Sequence, residues 1–143
     1  MPRSFLLLLA LYWSLVPGWA AAGDTAAPSL EGTEWHLIKL GRRSIPHQED
    51  RHRDPYLVFD GSRQRVAGFA GCNHVQGSYE REDEKLSIGT LASTRMSCST
   101  GYELETYFLR TLGKVQAWRM KDGQLELLDA DGKTLALFEA VAR

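Results

Sequence analysis

AGCNHVQGSYEREDEKLSIGTLASTRMSC, Ala70–Cys98, decides how the rest of this chain is read. It holds both cysteines, Cys72 and Cys98, and the only asparagine, Asn73. Val75, Gly77 and Tyr79 alternate with Gln76, Ser78 and Glu80, the period-two pattern of a half-buried strand. Glu82-Asp83-Glu84 makes a charged turn, and Lys85–Gly89 returns with Leu86 and Ile88 on one face. Leu91–Cys98 then reads as another strand, with Ala92, Thr94, Met96 and Cys98 together on its less polar face. Asn73 suits a tight corner after Gly71, because asparagine tolerates left-handed backbone and its amide can bond nearby main chain. Tyr79, Thr94 and Met96 read most simply as core or cross-strand residues.

Working outward, Trp35–Leu40 follows Gly32 as a first strand with apolar residues on both faces, so cover on both sides is expected. Gly41–Asp54 is charged, aperiodic and contains Pro46, and it reads as an exposed loop. Pro55–Asp60 and Gln64–Ala70 are strands joined at Asp60-Gly61, with Val66, Gly68, Ala70 and Cys72 sharing a face and Phe69 pointing away. Downstream, Thr100 and Glu103 have capping-box spacing, and Leu104, Tyr107, Phe108, Leu112 and Val115 follow helical spacing up to a stop at Gly113. Asp122-Gly123 and Asp131-Gly132 then punctuate two hairpins over residues 116–141. The pattern predicts an α+β domain: a strongly curved antiparallel sheet or incomplete β-barrel of about eight strands with one α-helix.

The amino end carries a different signal. Arg3, the apolar run Phe5–Val16, the breakers Pro17-Gly18 and the small residues Ala20-Ala21-Ala22 have the order of a secretory signal peptide, cut after Ala22. The run is short for a bilayer span, which needs about 20 apolar residues. No cysteine follows it to accept a lipid. Residues 23–29 then form a small, polar leader and 30–143 the folded domain, periplasmic or secreted, with no transmembrane span. The 17 basic and 18 acidic side chains leave a formal charge of −1, which argues against a dedicated nucleic-acid binder. Two cysteines in an exported chain suggest one disulfide, whose closure would contribute roughly 3–4 kcal/mol, with two free buried thiols as the alternative.

No constellation of catalytic residues emerges. Cys72-Asn73-His74 places a thiol beside an imidazole, but neighbouring positions on a strand alternate faces and a second cysteine is ready to pair with the first. Asp129-Ala130-Asp131-Gly132 resembles the start of a calcium loop, yet Ala140 stands where the closing glutamate belongs, so a hairpin turn is favoured. His47 and His52 in the charged loop admit a weak metal or pH-sensitive site, with a solvated loop favoured. Catalytic, cofactor-binding and metal residues are therefore not expected.

GCNHVQGSY (Gly71–Tyr79) followed by LASTRMSC (Leu91–Cys98) resembles the META domain family, the HslJ-like heat-shock proteins. LEGTEWHL at Leu30–Leu37, a glutamate-containing helix after the second cysteine and the final L-E-L-L-D hairpin fit the same family. The resemblance implies a small antiparallel β domain with one helix, an exported location, and association with heat shock and antibiotic tolerance. It carries over a structural signature: Gly71, Cys72, Asn73, Gly77, Tyr79, Thr94, Met96 and Cys98. It implies no enzymatic activity and no cofactor. The expected function is binding, to an envelope protein, an outer-membrane component or a misfolded exported chain, by a monomer. The alternatives are a carrier of a small apolar ligand inside the barrel, and a protease-inhibitor-like module that presents the 41–54 loop.

Overall fold

The computed structural model describes residues 26–141, so the expected signal peptide lies outside the described residues. Eight strands form a closed antiparallel barrel: β1 (Glu34–Leu40), β3 (Tyr56–Asp60), β4 (Arg65–Phe69), β5 (His74–Glu82), β6 (Lys85–Ile88), β8 (Ala117–Lys121), β9 (Gln124–Leu128) and β10 (Thr134–Val141). They run in the order β1-β3-β4-β5-β6-β8-β9-β10, and β10 returns to pair with β1. Two short strands lie off this ring: β2 (Arg43–Ser44) on β1 and β7 (Ala92–Ser93) on β5. The helix α1 (Tyr102–Leu112) lies between β7 and β8 in the chain. The curved sheet expected from the pattern is thus a complete ring.

Its closure depends on β1. Residues Trp35 and Leu37 face the interior by simple alternation, and the next inward position would be Lys39. A register shift against β10 between Leu37 and Lys39 changes that parity, so Leu40 is buried and Lys39 is exposed. The apolar residues on both faces of this strand are explained by the bulge and by a covering loop over His36. The ring is thinnest between β6 and β8, where Lys85–Ala117 is the one residue pair in register. Two flanking hydrogen bonds, Leu86 N–H to the Gln116 carbonyl (3.1 Å) and Trp118 N–H to the Glu84 carbonyl (3.0 Å), complete the seam.

Side chains fill the barrel. Trp35, Leu37, Leu57, Phe59, Val66, Leu86, Leu125, Leu127 and Phe138 belong to one buried cluster, and α1 adds Phe108 and Leu112 to it. Phe108 and Phe138 meet with ring centroids 6.1 Å apart. The packed interior removes the physical basis for carriage of an apolar ligand inside the barrel. Turn chemistry follows the sequence: Asp122 and Gly123 both have positive φ, as the two-residue turn between β8 and β9 requires. Asp129 accepts from the amides of Asp131 and Lys133, so this acidic stretch is a hairpin turn.

Two sequence expectations are corrected. The strand expected over Leu91–Cys98 is only Ala92–Ser93, and Thr94 and Met96 are exposed, Met96 by 52 %. Past the Thr94 N–H, which bonds the His74 carbonyl, the segment leaves the sheet because the Thr94 hydroxyl and the Met96 N–H are taken by Asn73. The Thr100–Glu103 capping box does not form either. Gly101 in left-handed conformation (φ 90°) is the residue before the helix, and no side chain caps it. Gly101 must approach the corner closely: a Cβ there would lie 2.2 Å from the carbonyl oxygen of Gly71, itself at φ 116°. That approach selects the backbone at the helix start over the side-chain cap. We therefore expect Gly101→Ala to cost at least about 2 kcal/mol in thermal or urea unfolding, against about 1 kcal/mol for Gly123→Ala, where space is open and only backbone strain is added.

Candidate functional site

The corner between β4 and β5 is built from the residues of the opening stretch. Cys72 and Cys98 form a disulfide, with Cα atoms 5.9 Å apart, closing a separation of 26 residues. Asn73 is buried beside it and uses its whole amide. Its Oδ1 accepts from Thr94 Oγ1 (3.0 Å) and from the Met96 N–H (2.7 Å). Its Nδ2 donates to Glu105 Oε1 (2.8 Å). Thr94 Oγ1 also accepts from the His74 N–H (3.1 Å).

Glu105, on the first turn of α1, is the residue that sequence reasoning did not single out. Its side chain is buried, and besides the Asn73 amide it accepts from the N–H groups of Cys72 (3.1 Å) and Asn73 (2.5 Å). All three partners donate, so both oxygens act as carboxylate acceptors, near the positive end of the helix dipole. A signal existed: Glu105 stands three residues before Phe108 and seven before Leu112, on the buried stripe of the helix. The structure thus brings together Gly71, Cys72, Asn73, Thr94, Met96 and Cys98. Gly77 and Tyr79 lie further along β5, inward-facing, with the Tyr79 hydroxyl donating to Glu31 Oε1 at 2.8 Å. Burial first, then the bonded and nearby Glu31 carboxylate, push the Tyr79 phenol well above its usual range. His74 is exposed and packs on Phe69, away from any nucleophile.

Beside this corner runs an open groove of about 490 Å³, walled by Ser93–Ser97 on one side and by Tyr102, Glu105, Thr106 and Leu109 of α1 on the other. Among the described residues three large apolar side chains are exposed, Met96, Tyr102 and Tyr107, and two of them line this groove. Arg95 lines it as well, and Arg110 follows Thr106 by one helical turn. Both guanidiniums are solvent-exposed.

A second polar cluster pins the 41–54 loop to the barrel wall. Asp54 is buried and accepts from the Gln48 N–H (2.7 Å) and from His47 Nδ1 (2.8 Å), with Arg51 Nε at 3.3 Å. Burial works to raise its pKa, but the Gln48 and His47 bonds outweigh it and hold the carboxyl below its usual range. His52, by contrast, is exposed. The loop is anchored through Asp54 and Ile45, while residues 46–53 are exposed. Among the described residues no group of three or more His, Cys, Asp or Glu side chains is arranged to hold a metal ion.

The architecture is that of a small α+β barrel stapled at one corner, with two exposed apolar residues, Met96 and Tyr102, in an adjoining groove. The META domain profile matches residues 28–142, and the chain belongs to that family. The fold is similar to an NMR structure of a protein from Burkholderia xenovorans, at 30 % identity and TM-score 0.63, covering 86 % of this chain and 97 % of that one. A second NMR structure is similar at 20 % identity and TM-score 0.59, covering 77 % and 90 %. A crystal structure of a DUF4847 family protein from Bacteroides vulgatus ATCC 8482 shares the fold at 17 % identity and TM-score 0.54, covering 77 % and 93 %. No curated protein matches the chain.

Two stability predictions follow from the clusters. Glu105→Gln turns an amide NH₂ toward groups that already donate, and should cost about 2–4 kcal/mol in urea unfolding with the disulfide intact. Asp54, with a lowered folded-state pKa, contributes stability that is present above its unfolded value and lost as the pH falls through its folded value. Wild type should therefore exceed Asp54→Asn in melting temperature at pH 7, with the gap closing as the pH drops below about 4.

Proposed function

We propose that this protein is an exported, non-enzymatic envelope protein of the stress response that acts by binding a polypeptide segment in the groove between α1 and Ser93–Ser97. The observation that carries the reading is the gathering of Met96 and Tyr102, exposed, in one groove whose walls are otherwise rigidly tied. Scattered apolar residues on a surface need no explanation, but two large ones in one depression beside a fixed backbone make a place where an apolar side chain is held. Arg95 adds positive charge to the groove, which favours a segment with acidic residues next to its apolar anchor. The occupant we assign is such a segment of another exported chain, unfolded by stress or not yet assembled.

Export is supported by the signal-like amino end and by a disulfide, which persists in oxidising compartments. Among the described residues no helix is long and apolar enough to cross a membrane. The family association with heat shock and antibiotic tolerance supports the stress role.

Photo-crosslinking amino acids placed at Met96 and at Tyr102 in heat-stressed cells should capture exported polypeptides, while the same probe at exposed Lys121 should not. Met96→Asp should cut capture by the Tyr102 probe at least about tenfold without changing the melting temperature. Equal capture at all three positions, or none at the groove, would sink this reading.

A further inference from the structure

The buried and titratable groups of the 41–54 loop have no part in the groove. His47 sits between two carboxylates, Nδ1 at 2.8 Å from Asp54 Oδ2 and Nε2 at 3.0 Å from Glu139 Oε1. An ionised carboxylate only accepts hydrogen bonds, and a neutral imidazole donates through only one nitrogen. The Nδ1 contact is a hydrogen bond and the Nε2 contact an ion-pair approach, and both are favourable together only when His47 carries two protons. The same cluster holds Arg51, which reaches Asp54 Oδ2 (3.3 Å) and Glu139 Oε1 (3.1 Å). From β1, buried His36 donates to Glu34 Oε1 through Nε2 (2.8 Å). Its Nδ1 faces Asp54 Oδ2 at 3.6 Å without a hydrogen bond. Tyr56 of β3 stacks on the His36 ring. Three carboxylates (Glu34, Asp54 and Glu139) thus face one permanent cation and two imidazoles.

We infer that the 45–54 segment is a proton-sensitive latch, closed by the imidazolium of His47. With two protons, His47 bridges the loop carboxylate Asp54 to Glu139 on β10. On losing one, it keeps a single contact and leaves its other nitrogen as a lone pair against a carboxylate. Arg51 still joins the two acids, so the loop loosens at His47 without leaving the barrel. Beneath it, the unbonded His36 Nδ1 offers a second place for a proton, where it would donate to Asp54. Stability of the closed loop is therefore present while His47 is doubly protonated and lost, as the pH rises, once it gives up a proton. Because Gln48 and Arg53 also line the cleft beside the start of α1, the latch sets the width of that cleft.

Amide hydrogen exchange on the full-length exported protein tests this, read at the Gln48 N–H, which the closed loop bonds to Asp54 Oδ1. After correction for intrinsic exchange, its protection should be about tenfold greater at pH 5.5 than at pH 8. His47→Gln should abolish the pH dependence, and His52→Gln should leave it intact. In the wild type, ¹⁵N shifts should show both His47 nitrogens protonated at pH 5.5, a readout that needs no variant. Protection independent of pH in the wild type, pH dependence that survives in His47→Gln, or a singly protonated His47 at pH 5.5 would each overturn the latch.

Discussion

Three N–H groups converging on the buried carboxylate of Glu105 hold the β4–β5 corner to the start of α1. The donors are the backbone amides of Cys72 and Asn73 and the side-chain amide of Asn73. Taking a carboxylate out of water is costly, and the cost is met only while every donor stays in place. That makes the arrangement close to all-or-none: helix start, corner and the 94–96 segment are positioned jointly. The disulfide acts differently. It restricts the unfolded chain and would contribute roughly 3 kcal/mol for a loop of this size, but it fixes only one Cα pair. The bridge keeps the segment near, and the Asn73–Glu105 bonds decide how it lies.

The barrel interior is filled by its own side chains. A ring of eight strands has an interior just wide enough for side chains, and here Trp35, Phe59, Phe108 and Phe138 occupy it. The single in-register pair between β6 and β8 is tolerated because the core behind it is continuous, with Leu86 and Leu127 in the same cluster. Two of the irregular stretches, residues 45–54 and 94–98, are received by polar clusters. Each of those clusters contains a buried acid that satisfies main-chain N–H groups which no strand satisfies.

Most of the barrel was legible because alternation is a local property. Val75, Gly77 and Tyr79 could be assigned inward, and the Asp-Gly turns located, without knowing what they would meet. Residues 94–98 were not legible, because their alternation is real but, past the Thr94 N–H on the His74 carbonyl, the Thr94 hydroxyl and the Met96 N–H go to Asn73 instead of a neighbouring strand. The helix start failed for a similar reason: Thr100 and Glu103 have the spacing of a cap, and the contact of Gly101 with Gly71 overrides it. Glu105 escaped because an acid near the edge of an apolar stripe ordinarily reads as solvated. The disulfide and the family signature were readable as residue types, but which signature members are buried was not. Thr94 and Met96 act through a hydroxyl and a backbone amide while lying exposed.

The two clusters differ in one chemical respect that bears on what each segment can do. Around Glu105 the partners are amides, which neither gain nor lose protons in any physiological range, so the corner and the groove it backs keep one geometry. Around Asp54 two of the partners are imidazoles, whose donor capacity changes with the solution. A binding groove benefits from walls that cost no reorganisation when a segment enters, since every degree of freedom frozen on binding is subtracted from affinity. A loop meant only to stay closed would be served better by an arginine or an amide in place of His47. The domain thus carries an amide-bonded cluster around Glu105 and a protonatable one around Asp54, with each property set by the side chains that meet the buried acid.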